Sequence, residues 1–176
     1  MSSSDLRYPV GNFEARNKIT SDERRALIGM IADAPRNLRG AVANLNERQL
    51  DTPYRDGGWT VRQVAHHVPD SHLNAYTRLK LALTEDEPTI KPYEEARWAE
   101  LADSRETPIE VSLTLLDSLT TRWVTLLNSM TENDFARKFR HPDHGAVDVD
   151  WLVQMYGWHS RHHVAHITSL RARNGW

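Results

Sequence analysis

Seven of the nine histidines in this 176-residue chain lie in two short segments. The second segment, WHSRHHVAH, contains His-x-x-x-His twice, as His159/His163 and as His162/His166. Residues one helical turn apart lie on one face with side-chain origins about 5–6 Å apart, so two such imidazoles can bind one metal ion. A third imidazole would come from the first segment. That segment carries His66, His67 and His72.

A site with three histidine ligands leaves at least one coordination position of the metal open, and an open position distinguishes a catalytic ion from a structural one. The plainer alternative is that these are core histidines bonded to backbone or carboxylate groups, or that the segment is a wet, histidine-rich surface. His-x-x-x-His is a short pattern, so spacing alone leaves both interpretations open.

Composition narrows the class of protein. The chain has a net charge of −2 and no basic stripe, which argues against a nucleic-acid binder. No apolar run approaches the length of a membrane span. Cysteine is absent, which excludes disulfides, thiolate ligands and a cysteine nucleophile and fits a cytoplasmic location. The length fits a single domain over residues 1–176.

Apolar periodicity predicts four long amphipathic helices and no strand, which favours an all-α four-helix bundle with inward-facing metal ligands. An extended N-terminal arm precedes the first helix, and a long loop, roughly Glu85 to Pro108, separates the second helix from the third. Kinks are expected at Pro35 and Pro69. The predicted helices begin at Thr20 or Ser21, behind Thr60, near Pro108, and near Asp148 or Asp150.

Helical phase ranks the histidines only partly. His159 and His163 straddle the centre of the apolar face of the last helix, whereas His166 lies nearer one margin and His162 at the edge. On the second helix, His72 lies in the middle of the stripe, His67 lies toward one flank, and His66 points away. Because Pro69 disturbs the phase of that segment, His67 and His72 both remain candidates for the third ligand.

An ordered set of motifs runs nearly end to end and resembles the DinB/YfiT-like superfamily of metal-dependent hydrolases, in the branch that includes bacillithiol S-transferases. The motifs are RYPVG at residues 7–11, GWTVRQVAHHVPDSH at 58–72, the segment from Pro92-Tyr93 through Trp98 to Ser104, HPDHG at 141–145, DWL at 150–152, and YGWHSRHHVAHI at 156–167.

The resemblance implies which histidines bind the metal. The family's helix-two ligand matches His67, and its His-x-x-x-His matches His159 and His163. Relatives often carry Gln where this chain has His166, which argues against His166 as an obligatory ligand. The resemblance further implies a four-helix bundle, one divalent ion per chain (zinc or nickel), and a homodimer.

Three neutral imidazoles leave the +2 charge of the ion uncompensated, so a bound water would ionise near about pH 7 and attack a small-molecule electrophile. The alternatives are S-transfer from a small thiol such as bacillithiol and a non-catalytic metal-binding stress-response role. No general acid or base is identified. His166 is a candidate proton shuttle, Asp70 is a candidate partner of a ligand N–H, and Trp98 is a candidate pocket residue.

Overall fold

The computed structural model describes residues 5–176, and within them four long helices form the body of the molecule. These are α1 (Ser21–Val42), α3 (Val61–Thr84), α6 (Ile109–Asn128) and α8 (Val149–Asn174). The connections contain four short helices, α2 (Glu47–Leu50), α4 (Glu95–Trp98), α5 (Ala102–Glu106) and α7 (Glu132–Phe135), and a hairpin of β1 (Lys138–His141) and β2 (Gly145–Asp148). The predicted four-helix bundle is confirmed.

Neighbours in the bundle are not neighbours in the chain. Helix α1 packs on α6 and α8, and α3 also packs on α6 and α8. The consecutive long helices α1 and α3 therefore lie at opposite corners, as do α6 and α8. This arrangement places α3, from the first half of the chain, directly against α8 at its end.

The helix boundaries follow the capping residues that the sequence contains. Thr20 caps α1 by accepting from the Glu23 N–H, while the Glu23 side chain accepts from the Thr20 N–H. Thr60 makes the equivalent capping box at α3. Asp148 Oδ1 accepts from the Trp151 N–H at 2.7 Å at the start of α8. Gly175, with a φ of 68°, ends α8 in the left-handed conformation.

Two features differ from the prediction. The chain before α8 forms a two-stranded antiparallel hairpin in which Phe139 pairs with Val147, where no strand was expected. The long connection between α3 and α6 contains two short helices rather than irregular chain alone. Pro35 and Pro69 both lie inside uninterrupted helices, and the kinks expected at them stay a prediction.

The N-terminal arm is extended, as predicted, and lies along α8. The Arg16 N–H donates to Gln154 Oε1 at 2.9 Å, and Gln154 Nε2 donates back to the Arg16 carbonyl. The Trp158 indole N–H donates to the Gly11 carbonyl at 3.0 Å. Phe13 packs edge-on against Trp151. These contacts hold the arm beside the histidine-rich stretch of α8.

The bundle has two apolar clusters, one centred on residues such as Trp123 and Leu152 and the other on residues such as Leu38 and Leu116. His67 of α3 and His159 and His163 of α8 face one another, so polar side chains occupy part of the α3–α8 contact. None of the described helices combines the length and the apolarity that a membrane span needs.

Candidate metal centre

Three imidazoles from two packed helices converge at one point. His67 lies in α3, and His159 and His163 lie one turn apart in α8. One ring nitrogen from each lies within 4.8 Å of the others, and Nε2 of His67 is 3.3 Å from Nε2 of His159. Two nitrogens on adjacent positions of one ion, each at about 2.0–2.1 Å, lie roughly 3.0–3.4 Å apart. The spacing therefore fits a shared divalent ion.

Removal from water keeps these imidazoles neutral. Burial, and secondarily the neighbouring histidines, lowers the pKa of His67 to about 3 and the pKa values of His159 and His163 well below the usual value. The neutral imidazole is the form that binds a metal ion. Nδ1 of His159 and Nδ1 of His163 are buried without a hydrogen-bond partner among the described residues. The donor set is thus ready to ligate at neutral pH.

Ser71 and Tyr156 adjoin the three histidines. Ser71 Oγ lies 3.3 Å from His159 Nε2 and 3.0 Å from the Tyr156 hydroxyl, which also lies 3.0 Å from the Ser71 carbonyl. Sequence reasoning did not assign a role to either residue. The available signal was spacing, because Ser71 lies one helical turn beyond His67.

A cleft of about 560 Å³ opens from the three histidines. Trp59 forms one wall, with its ring centroid 4.7 Å from that of His67. His141 and His144 of the HPDHG turn line the cleft, so the hairpin overhangs the site. The cleft is also lined by Tyr8, Ser71, Arg78, Tyr93, Glu95, Trp151, Tyr156 and Trp158.

The other histidines of α3 have different partners. His66 is buried and reaches α6 and the turn before it, with Nδ1 2.7 Å from Ser112 Oγ and Nε2 3.0 Å from the Thr107 carbonyl. His72 is fully buried between Trp123 and Tyr156. Of the two candidates that helical phase left open for the third position, the structure brings His67, and not His72, to the pair on α8.

A second group of three histidines shares His163. One ring nitrogen from each of His162, His163 and His166 lies within 4.8 Å of the others. His166 Nε2 lies 3.0 Å from the Arg7 carbonyl and must donate to it, and the ring stacks on Tyr54. Because all three belong to α8, this group lacks a ligand from a second helix. His166 lines a smaller cleft of about 360 Å³ that adjoins the first, since Tyr8, Trp59, His162 and His163 line both.

The carboxylates near the two histidine segments do not contact the three histidines. Of the two predicted starts of the last helix, Asp148 is the N-cap of α8, whereas Asp150 pairs with Arg24, with Oδ1 2.6 Å from Nε. Asp70 is half-buried and lines neither cleft. Burial raises its pKa to about 6. Trp98 lines a neighbouring cleft of about 1020 Å³ rather than that of the three histidines.

Comparison with known proteins identifies the family of the chain. The model of the DinB superfamily matches residues 30–167. A "putative metal-dependent hydrolase" of a Bacillus cereus strain is 54% identical over 173 residues, which cover 98% of this chain and 99% of the relative. A protein of the same description from Bacillus anthracis is also 54% identical over 173 residues, with the same coverage of both chains.

Solved structures show the same fold. YfiT from Bacillus subtilis, described as a probable metal-dependent hydrolase with an unusual four-helix bundle topology, superposes with a TM-score of 0.95 at 46% identity and covers 97% of this chain and 98% of its own. The four-helix bundle protein TT2238, at 19% identity and a TM-score of 0.57, supports the fold alone. The chain therefore belongs to the DinB superfamily.

Proposed function

We propose that this protein is a metal-dependent hydrolase of a small-molecule substrate, with one divalent ion held by His67, His159 and His163. The observation that carries the proposal is the convergence of three neutral ring nitrogens from two helices at the inner end of a cleft. The names of the Bacillus relatives and of YfiT point the same way.

When bound, a divalent ion would polarise an electrophilic carbonyl and lower the pKa of water toward about 7. The surrounding residues position the site. The Tyr156 hydroxyl fixes Ser71, whose own hydroxyl lies 3.3 Å from Nε2 of His159, the nitrogen that would bind the ion. Trp59 shields His67 from solvent. His166 and Asp70 do not line this cleft, so we assign neither of them a role in the step.

The ion is proposed to be zinc or nickel. Three imidazoles without a thiolate or a carboxylate suit borderline metals, whereas calcium and magnesium prefer oxygen ligands. The absence of cysteine fits a location in the reducing cytoplasm, which we propose for this protein.

We also propose a homodimer. The neighbouring cleft of about 1020 Å³, which Trp98 lines, is mainly apolar. Trp98 and Leu101 on its wall are 39% and 55% exposed, and Leu73, next in sequence to the lining residue Asn74, is 43% exposed. Large apolar side chains grouped on one surface are typical of contacts between subunits. Light scattering on the purified protein measures the mass directly. A mass of one chain at micromolar concentration would exclude a stable dimer.

S-transfer from a small thiol is the alternative reaction, because the same ion would also favour a thiolate. The two reactions differ in their co-substrate. The loaded protein is assayed for consumption of an electrophilic substrate with and without a low-molecular-weight thiol. Turnover that requires the thiol would replace hydrolysis with transfer, whereas thiol-independent turnover supports the hydrolase.

The first test is the metal content of tag-free protein and of three variants. Wild-type protein incubated with zinc or nickel and then desalted is expected to hold about one ion per chain. His67→Ala, His159→Ala and His163→Ala should each lose most of that ion, because two imidazoles bind far more weakly than three. Elemental analysis gives the stoichiometry, and circular dichroism confirms that the helices remain.

His162→Ala is the matched control, since it removes a neighbouring buried imidazole of α8 that lies outside the proposed set. It should keep the ion. Loss of metal in His162→Ala with retention in His67→Ala would move the site to the group of His162, His163 and His166. A wild-type protein that takes up neither metal would overturn the proposed function.

A further inference from the structure

Arg78 is an unpaired cation in the wall of the cleft that contains the three histidines. It lies in α3, three turns beyond His67, and lines the same cleft of about 560 Å³. Among residues 5–176 its buried Nε has no hydrogen-bond partner, and its Nη2 makes a single long contact of 3.4 Å, with the Lys91 carbonyl. Among the described residues it forms no ion pair. A buried polar group without a partner is costly, so this side chain lacks an acceptor.

The arginines whose side chains are most deeply buried have carboxylate partners. Arg24 pairs with Asp150 and Glu132, with contacts of 2.6 and 2.7 Å. Arg62 pairs with Asp51 and Glu47. Arg78 departs from this pattern at the wall of the candidate site, where its buried Nε has no such partner.

Tyr93 supplies a second free donor in the same cleft. Its hydroxyl is buried and forms no well-aligned hydrogen bond among residues 5–176, although Ser71 lies beside it. Burial raises its pKa above the usual value, so the hydroxyl keeps its proton at neutral pH and acts as a donor. Two buried donors without well-aligned acceptors thus line one cleft, and none of the described carboxylates that line it is buried.

Carboxylates of the chain lie at the rim of this cleft. Glu95 and Asp143 line it, but both are exposed to solvent, and the Asp143 side chain is 71% exposed. Solvated rim charges are screened, whereas a buried guanidinium atom acts at short range. The negative charges of these two rim carboxylates repel a dianionic ligand more strongly than a monoanionic one. The cleft is therefore suited to a monoanion.

We propose that Arg78 and Tyr93 form an anion subsite that binds a carboxylate of the substrate while its reactive group lies at the three histidines. The guanidinium can donate from Nε and Nη2 to both oxygens of a planar carboxylate, a geometry that a phosphate shares but a hydroxyl does not. The inference rests on the proposed metal function and narrows its substrates to carboxylic acids.

The test separates the two ends of the cleft with a bifunctional probe. Tag-free protein loaded with Co²⁺ is titrated with 5-mercaptopentanoate and with 5-mercaptopentanol, and the cobalt–thiolate absorption band reports binding. The thiol end is common to both probes, and only the acid carries a charge at the far end. Wild-type protein is expected to bind the acid about 10- to 100-fold more tightly, the usual range for a charge-assisted hydrogen bond.

Arg78→Gln should abolish the preference for the acid while leaving the affinity for the alcohol unchanged, which shows that the fold and the metal are intact. Tyr93→Phe should reduce the preference a few-fold. Arg25→Gln is the matched control, because Arg25 is an exposed arginine of α1 that pairs with Asp22. It should keep the full preference.

Three outcomes would contradict the inference. Equal affinities of wild-type protein for acid and alcohol, with cobalt bound, would overturn the anion subsite and leave the metal centre intact. If the Arg78→Gln variant still bound the acid more tightly than the alcohol, another residue would be responsible for that preference. Tighter binding of 4-mercaptobutylphosphonate than of the acid would replace the carboxylate with a phosphate-like group. A wild-type protein without cobalt overturns the proposed function itself.

Discussion

Asp70 shows at the residue scale how burial acts on one ionisable group. The carboxyl group is half-buried in α3, and burial, with a smaller contribution from Asp103, raises its pKa from 3.8 to about 6. In the unfolded chain the carboxyl ionises at its ordinary pKa. Between about pH 4 and pH 6 the folded state therefore holds the proton more tightly, so stability falls as pH rises and is then constant above that range.

We expect Asp70→Asn to increase the free energy of unfolding of the metal-free protein by about 1 kcal/mol at pH 8, a value reduced from the full shift because solvent screens a half-exposed carboxylate. The gain should be smaller at pH 5. Urea denaturation of both proteins with a chelator present measures it. Asp86→Asn, on the exposed surface, should change little. A variant less stable than wild type at pH 8 would contradict this account.

The residue scale also shows what helical phase can determine. His159 and His163 were placed correctly at the centre of an inward face because α8 presents one face to α3 there. His66 was predicted to point away, but it is buried against Ser112 of α6. The first turns of α3 contact α6 on one side and α8 on the other, and a single apolar stripe cannot describe a helix with two buried faces. Arg78 was missed for a related reason, since an arginine at the edge of a stripe is normally solvated.

At the scale of elements, the approach of α1 to α8 depends on a glycine. A Cβ atom at Gly157 would lie 2.7 Å from Cδ2 and 3.5 Å from Cβ of Leu27 in α1. Gly157 lies in the middle of α8, between Tyr156 and the histidine-rich turn. The absence of a side chain lets the two helices pack closely two residues before His159.

Gly157→Leu is expected to destabilise the protein by about 2–3 kcal/mol, because a large side chain must push α1 from α8. Adding Leu27→Ala should recover part of that loss by opening space. Thermal or urea unfolding measures both.

Gly29→Ala, in α1, is the control, because a Cβ there meets nothing within 4 Å. It should stabilise the protein by up to about 1 kcal/mol through helix propensity. If Gly157→Leu were as stable as wild type, the close contact would not limit the packing of these helices.

The helix boundaries could be predicted from their capping residues, whereas the two short strands could not be predicted from the sequence. Thr20 and Thr60 each make the reciprocal hydrogen bonds that their sequence context indicates. The hairpin was missed because β1 has only four residues, of which Phe139 alone is apolar and fully buried. So short an alternation is not recognisable as a strand pattern.

At the scale of the whole molecule, the histidines make folding a proton-linked reaction. Burial is the main cause of a lowered pKa in eight of them, namely His66, His67, His72, His141, His159, His162, His163 and His166. In the unfolded chain these imidazoles bind protons near the usual pKa of about 6.5. The unfolded state therefore binds more protons below that value, and stability falls as pH falls.

The metal-free protein should lose stability steeply between pH 7 and pH 5, with several protons taken up on unfolding, because each group contributes up to about 1.4 kcal/mol per pH unit. Asp70 alone makes the folded state more stable as the pH falls, and one such group does not outweigh the eight histidines. Urea denaturation midpoints across this range measure the slope. If the pH dependence of the free energy of unfolding corresponded to the uptake of less than one proton, the burial assigned to the histidines would be contradicted.

The order of the chain in the bundle could be anticipated only in part. A long connection after the second long helix indicated that a simple up-and-down order was not assured, and α1 and α3 do lie at opposite corners. Which corners they occupy depends on contacts between residues far apart in sequence, such as that of Arg24 with Asp150, which no local pattern encodes.

The pairing of α3 with α8 has a consequence for how the chain reaches its native state. His67 and His159 are 92 positions apart, whereas His159 and His163 lie within one helical turn. An ion captured first by the pair on α8 would bind weakly until the intervening chain had folded and delivered His67. A complete metal centre would cross-link distant parts of the chain. The loop-closure entropy that such a link removes from the unfolded state is comparable to that removed by a disulfide, which corresponds to about 4–5 kcal/mol of stability for a loop of this length.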